Sequence, residues 1–497
     1  MSYAVEQSAR RRLRKRWVIG ALFAWWIGVG TWHTIKPMPP GTDVRTEPVA
    51  LAPQQVAFLY DLTYADAYGQ PQYEQRIFDE VFRIIDEAES FVIADFFLVN
   101  ELMGAASEPH RPLSGEIVER LIARKQAKPE LAVLFITDPI NEVYGGMRSA
   151  LLDRMRAAGI DVVVTDLEAL RDSNPFYSSL WRIFVQWWGN AAEGGSMTNP
   201  FTSEPRPITL RSWLALLNFK ANHRKVIVAD RSDNSLVALV TSANPHDASS
   251  AHSNVALRIE GGPASQIVAS EMALARFSGW RGHIYADARE EAPVSDPEAP
   301  RVSLLTEEAI RDHLLEAIGA TRNGDAIRIA TFYLSDRGVI EALLDAASRN
   351  VSVRLILDPN RDAFGRQKDG VPNRPVANVL VERSGGKIEV RWYRTHGEQF
   401  HTKLALIRRG EELTASLGSA NFTRRNIGNY NLEANLAVTV PTSAPLAVEL
   451  QSYFDRLWNN EGAPGTEYTA PFGTFRDDNR SRYWRYRLME ATGLSTF

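Results

Sequence analysis

The sequence predicts an α/β fold: two tandem α-β-α sandwich domains related by pseudo-twofold symmetry, behind one N-terminal transmembrane helix. Three observations predict it. Strand-like and helix-like stretches alternate through both halves of the chain. A motif of the first half returns in the second at a nearly constant shift of 177–178 residues. An uncharged apolar run close to the start is near the about 20 residues that span a bilayer.

The chain begins with a basic segment, residues 1–16, carrying Arg10, Arg11, Arg12, Arg14, Lys15 and Arg16. Residues 17–35 follow without a charge and contain Trp17, Trp25, Trp26 and Trp32. A cleaved signal peptide is the competing reading, but Lys36-Pro37-Met38-Pro39-Pro40 offers no small-x-small cleavage site. A retained single-pass anchor is therefore expected. The basic cluster puts the N-terminus in the cytoplasm and the body in a periplasmic or other extracytoplasmic space. Residues 36–55 are Pro-rich and read as a tether.

The first domain is expected over 56–280. A helix is predicted at Phe78, Val81, Phe82, Ile84 and Ile85, a buried strand over 91–98, a helix near 115–126, and a strand over 131–137 ending in Asp138-Pro139. The second domain, 302–460, repeats this with a helix over 310–320, a strand over 326–334, a helix over 338–348, and a strand over 351–357 ending in Asp358-Pro359. Residues 281–301, with Glu290, Glu291, Pro293, Pro297 and Pro300, read as the linker. The first domain carries an insertion over 172–220, rich in aromatics such as Phe176, Tyr177, Trp181, Phe184, Trp187 and Trp188. It is read either as extra core or as an apolar wall admitting acyl chains. The tail, 461–497, mixes Arg482, Arg485 and Arg487 with Tyr483, Trp484 and Tyr486, and either lies on a membrane or packs back on the body.

The repeated motif carries the chemistry. Asn222-His223-Arg224-Lys225 opens a β-branched run ending at Asp230, followed by Thr241-Ser242-Ala243-Asn244. Residues two apart on a strand share a face, so His223 and Lys225 point the same way. One such pair is usually a solvated face. Here His401-Thr402-Lys403 and Gly418-Ser419-Ala420-Asn421 repeat it, and Asn254 to Asn431 and Trp280 to Trp458 hold the same register. His-x-Lys, four residues, Asp, then Gly-Ser-x-Asn, occurring twice, resembles the phospholipase D superfamily. Thr241 stands where glycine is usual, and Arg408 where aspartate is usual.

The resemblance implies two phospholipase D-like domains with one histidine each meeting at their interface, and a phosphohistidine intermediate. His223, Lys225, Asp230, His401, Lys403 and Glu433 are the expected catalytic residues. Ser242, Asn244, Ser419 and Asn421 are expected to bind substrate as neutral donors. Phosphodiester cleavage needs a nucleophile, positive donors and an acid for the departing oxygen, which two His-Lys pairs supply. No metal and no cofactor are required. In resembling enzymes a carboxylate from the opposite half orients the nucleophile. Glu433 would then serve His223, while the matching Asn254-Val255-Ala256 offers His401 only Ala256. His223 is expected as nucleophile and His401 as acid/base. His246 and His252 have no counterparts at this shift and are treated as background.

Composition narrows the partners. The chain has no cysteine, which excludes disulfides and thiolate metal sites. Residues 1–36 carry seven Lys/Arg and one Glu, a net +6, so the remainder of a chain of net −4 stands at −10. A body this acidic has no broad field for a polyanion, which counts against nucleic acid. The expected function is a membrane-anchored phospholipid phosphodiesterase or phosphatidyltransferase of the phospholipase D or cardiolipin synthase type. A nuclease or other phosphodiesterase and a non-catalytic tethered scaffold are the alternatives. The expected partners are a phospholipid substrate and the membrane, with no partner protein implied. Hydrolysis and transfer stay open.

Overall fold

The computed structural model describes residues 2–104, 110–286, 294, 296, 298–363, 366–495 and 497. Much of the expected linker, 287–293 with 295 and 297, lies outside the described residues. Fourteen strands form the frame. In the first half they are β1 (Val56–Ala65), β2 (Phe91–Phe96), β3 (Ala132–Thr137), β4 (Asp161–Val164), β5 (Lys225–Asp230), β6 (Leu236–Thr241) and β7 (Asn254–Glu260). In the second half they are β8 (Arg301–Thr306), β9 (Ala326–Thr331), β10 (Ser352–Leu357), β11 (Ile388–Tyr393), β12 (Lys403–Arg409), β13 (Glu412–Gly418) and β14 (Ala434–Pro441).

The first sheet runs β1-β7-β6-β5-β2-β3-β4, and the second runs β8-β14-β13-β12-β9-β10-β11. Each strand of one has its counterpart seven places on, so the duplication read from the motifs extends to the whole topology. Short edge strands extend both sheets, Pro71–Glu74 on the first and Val49–Ala50 and Thr469–Pro471 on the second. The β2-β3-β4 and β9-β10-β11 runs are parallel, joined by crossover helices, while the other main-strand pairings are antiparallel.

Both faces of each sheet are buried, which is why the strands read as continuous apolar runs rather than alternating ones. Residues such as Ile93, Val226, Val228 and Leu257 meet Leu404, Leu406, Leu417 and Leu436 in one shared core between the two sheets. Helices Pro263–Phe277 and Pro445–Asn459 flank that shared layer. On the outer faces, helices Ile77–Glu87, Leu113–Ala127 and Ala150–Ala157 cover the first sheet. Helices Glu308–Gly319, Arg337–Ser348 and Asn373–Arg383 cover the second.

The N-terminal helix Ser2–Ile35 stands out from this body. Its stretch Arg11–Ile35 is almost wholly exposed, and is by length and composition long and apolar enough to cross a membrane. The Pro-rich stretch after it is bonded down rather than hanging as a loose tether. Gly41 sits at φ +83°, where a Cβ would fall 2.3 Å from the Ala273 Cβ. The Val44 amide donates to Thr306 Oγ1 at 2.7 Å, the Thr46 amide to Leu304 O at 3.1 Å, and Val49 pairs with Val302.

The aromatic insertion divides between buried and exposed side chains. Its helix Pro175–Leu180 and the π-helical turn Trp181–Val185 bury Trp181 but leave Phe176, Phe184, Trp187 and Trp188 exposed. The tail packs back on the body. In its helix Arg480–Thr492 Tyr486 is buried and donates to Ser335 O at 3.1 Å, and Phe497 joins the second outer core.

Candidate active site

The site forms where β5 and β12 begin, at the seam between the two halves. Two parallel bridges fix it: Asn222 with Leu432, and Ser253 with Phe400. Each pins the residue just before a histidine to a loop of the opposite half. Each is held further by the aspartate of an Asp-Pro pair. The Asn222 amide donates to Asp138 Oδ2 at 2.7 Å, and the Phe400 amide donates to Asp358 Oδ2 at 2.8 Å. Burial pushes both carboxyls up to about 7.

The two histidines are nearly buried, 8% and 9% exposed. His223 Nδ1 lies 2.8 Å from Glu433 Oε1 and 3.1 Å from Oε2. Ser419 Oγ and Asn426 Nδ2 also donate to that carboxylate, and the Glu433 amide donates to Glu307 at 3.1 Å. His401 Nδ1 lies 3.2 Å from Asn254 Oδ1. The Asn254 carboxamide is fixed by Nδ2 donating to His252 O at 3.0 Å and by Ser242 Oγ donating to Oδ1 at 2.9 Å. Both Nδ1 atoms therefore face acceptors and carry the proton, leaving each Nε2 as the unprotonated nitrogen.

This corrects the register read from the sequence. Ser242 reaches Asn254 twelve residues on, whereas Ser419 reaches Glu433 fourteen residues on. The second loop is two residues longer, so Asn254, not Ala256, is the counterpart of Glu433. Ala256 lies buried inside β7. His401 thus has a neutral amide where His223 has a carboxylate.

Lys225 and Lys403 are fully buried, and each Nζ donates to the carbonyl of its own motif histidine at 2.7 Å. Phe97 and Phe332, the residues just after β2 and β9, complete each pair. Their rings lie 4.9 Å from His223 and 5.1 Å from His401, and 5.2 and 5.4 Å from Lys225 Nζ and Lys403 Nζ. Burial pulls Lys225 down to about 7 and Lys403 well below the usual lysine range, where Lys225 depresses it further. Burial likewise lowers His223 to about 4 against the pull of Glu433, and His401 well below 6.5 with Lys403 and His252 adding to the effect. Burial alone would raise Glu433, but His223 and its hydrogen bond, Lys225 and Ser419 outweigh it and hold the carboxylate ionised. The cleft of the free protein is thus a pair of neutral imidazoles beside two buried lysines whose charged forms burial disfavours. An anion bound between the lysines would favour their charged forms.

The residues expected as substrate ligands lie just after β6 and β13. Asn244 Oδ1 accepts from the Leu98 amide at 3.2 Å, which turns its Nδ2 away from that loop. Asn421 is buried, and its Oδ1 has no partner among the described residues. Ser242 and Ser419 instead orient Asn254 and Glu433. Gly418 is demanded by the fold, since a Cβ there would lie 2.3 Å from Ala434 O. Its counterpart Thr241 fits because its Oγ1 donates to Val255 O at 2.9 Å.

Asp230 is not in the site. It closes the far end of β5, seven residues or about 23 Å along the strand from His223. There its carboxylate accepts the Ser90 amide at 2.8 Å and the Phe91 amide at 2.9 Å. Arg408 does comparable work at the end of β12, donating to Gly324 O at 2.8 Å. The departure at that position therefore leaves the second histidine untouched. His252, passed over in the sequence, lies with its ring 5.8 Å from that of His401. Among the described residues no group of His, Asp and Glu could hold a metal ion.

Comparisons with known proteins bear on the fold. Residues 314–458 match the family described as the cardiolipin synthase, phospholipase D-like domain. Among solved structures, phosphatidylserine synthase from Haemophilus influenzae is similar over 90% of this chain and 97% of its own, at TM-score 0.56 and 11% identity. Polyphosphate kinase from Porphyromonas gingivalis aligns at TM-score 0.43 and 14% identity, over 88% of this chain and 54% of its own. Nuc from Salmonella typhimurium, a phospholipase D family member, aligns at TM-score 0.26 and 22% identity, over 32% of this chain and 95% of its own. Among curated proteins, none matches the chain. The doubled topology gives the chain a phospholipase D-like fold, with its paired His-x-Lys motifs at the seam and residues 314–458 matching the phospholipase D-like domain.

Proposed function

We propose that the chain is a membrane-anchored phospholipid phosphodiesterase or phosphatidyltransferase that works through a phosphohistidine. The observation that carries this reading is the hydrogen bond from His223 to Glu433, made across the two halves, beside a second His-Lys pair that has only an amide.

His223 Nε2 attacks phosphorus while Glu433 steadies the positive charge that develops on the imidazole. The bond from phosphorus to the head-group oxygen breaks, and His401 delivers a proton to that oxygen. An incoming water or alcohol then gives its proton to His401, attacks phosphorus, and displaces His223. Lys225 and Lys403, with Asn244 and Asn421, hold the non-bridging oxygens throughout. Anion binding between the lysines raises both of them, and raises His401 with them, so substrate itself charges the acid it needs.

The helix Arg11–Ile35 supports a single-pass anchor, and the basic residues before it support a cytoplasmic N-terminus with the body outside. The test is to incubate the purified protein with mixed phospholipid vesicles, with and without glycerol. Phosphatidic acid marks hydrolysis and a new phosphatidyl ester marks transfer. Turnover of neither kind, with the fold intact, ends the reading.

A further inference from the structure

The short helical segment after Asn174 is built inside out. Its polar and charged residues Ser178, Ser179 and Arg182 face inward and are buried. Its outer face carries Phe176, Leu180, Phe184 and Trp187, 62%, 40%, 59% and 75% exposed, with Trp188 beside them. Spacings of four, four and three put these side chains on one stripe. An aqueous surface rarely carries such a stripe without a partner.

Its neighbours say what covers it. Phe176 packs edge-on against Trp26 of the N-terminal helix, ring centroids 4.9 Å apart. Gly30 of that helix lies so close that a Cβ would fall 2.6 Å from Ser179 Oγ. The Asp172 amide donates to His33 O at 2.8 Å, and Lys36 Nζ donates to Glu168 O at 2.9 Å. Trp26 is nine residues before the helix ends at Ile35, about 13 Å along its axis. The stripe is therefore level with the second half of the candidate span.

The inner side is locked to the site. Arg182 pairs with Asp172 at 2.7 Å, and Asp172 pairs with Lys220 at 2.8 Å, three residues before His223. We infer that the stripe Phe176-Leu180-Phe184-Trp187 is immersed in the outer leaflet beside the anchor, and so holds the cleft at the level of the lipid head groups. The occupant is acyl chain, and the tryptophans sit where that leaflet meets water. This deepens the function proposed above and rests on the membrane reading of the N-terminal helix.

The absence of cysteine makes the test direct. Single variants Phe184→Cys, Trp187→Cys, Phe23→Cys in the anchor, and Asp233→Cys at the far end of β5 would each carry an environment-sensitive fluorophore. The full chain would be reconstituted into phosphatidylcholine–phosphatidylglycerol vesicles. The expected result at 184 and 187 is a blue shift with quenching by brominated acyl chains, as at 23, while 233 responds only to aqueous iodide. Water-like emission at 184 and 187 with lipid quenching at 23 overturns the inference and spares the anchor. A blue shift at 184 without acyl-chain quenching means a second copy of the chain covers the stripe, and also overturns it. Lipid quenching at 184 with none at 23 removes the anchor on which the inference rests, and overturns it as stated. Phospholipid turnover by the unlabelled chain, measured separately, tells failure here from failure of the catalytic reading.

Discussion

His223 and Glu433 stand 210 residues apart in sequence and share a hydrogen bond of 2.8 Å across the seam. The counterpart contact, His401 to Asn254, is longer and uncharged at 3.2 Å. An anionic acceptor stabilises an imidazolium that a carboxamide does not, so the two histidines are not equivalent. Glu433→Gln is expected to lower kcat about 100-fold or more. Asn254→Ala should lower it by less than about tenfold. Steady-state turnover on a phospholipid, with a melting curve to check the fold, distinguishes them. Equal losses would mean that the carboxylate has no special part.

The same asymmetry predicts where phosphate accumulates. His401→Asn removes the acid/base but spares the proposed nucleophile. With a phosphodiester whose leaving group needs no protonation, this variant should form the intermediate and hydrolyse it slowly. Peptide mapping should then find phosphate on His223. Finding it on His401 in the reciprocal His223→Asn variant, and not on His223, reverses the roles.

The lysines give the cleft a pH signature. Burial brings Lys225 to about 7 in the free protein, and an anion between the lysines raises it. Below 7 the Lys225 ammonium is already present, and Lys225 takes up no further proton when the anion binds. Above 7 binding must draw a proton from water, so affinity falls, by up to about tenfold per pH unit for one proton. Competitive inhibition by tungstate between pH 6 and 9 measures this. A flat profile would mean that Lys225 is charged throughout. Lys225→Arg keeps a charge that does not titrate here and should flatten the profile even where it costs activity.

Asp230 should behave as a structural residue. Its carboxylate answers the Ser90 and Phe91 amides at the start of β2, and losing it strands the buried Phe91 donor at a cost of about 1–3 kcal/mol. Asp230→Ala should therefore lower stability in a denaturant titration and leave kcat of the folded fraction unchanged. A large loss of kcat with stability intact would place Asp230 back in the chemistry.

The frame was readable because each half buries its strands on both faces. Val226-Ile227-Val228 and Leu355-Ile356-Leu357 can be little else, and the alternating helices fix the crossover order. The His-x-Lys pairs were readable because they occur twice. The acceptor on His401 was not readable. A constant shift aligns Asn254 with Asn431, and only the folded loops reveal that one is two residues longer. Phe97 and Phe332 read as ordinary strand residues, since nothing local says that a strand stops one residue earlier. Asp230 was misassigned because a strand carries the motif, and a strand takes residue 230 away from residue 223 at over 3 Å per step. Arg224 was invisible as a link. It is fully buried, pairing with Glu271 at 3.0 Å and Glu307 at 2.8 Å, and Glu307 supports the Glu433 amide from beneath.

That same Glu307 also accepts the Asp43 amide at 2.6 Å, from the strap that follows the N-terminal helix. The link between helix and body is a bracket, not a leash. A body on a leash could swing to remote targets, and its turnover would follow their bulk concentration. A bracketed body has one bearing and one footprint. Under the proposed topology its substrates arrive by lateral diffusion, and its speed tracks their mole fraction in the surrounding bilayer.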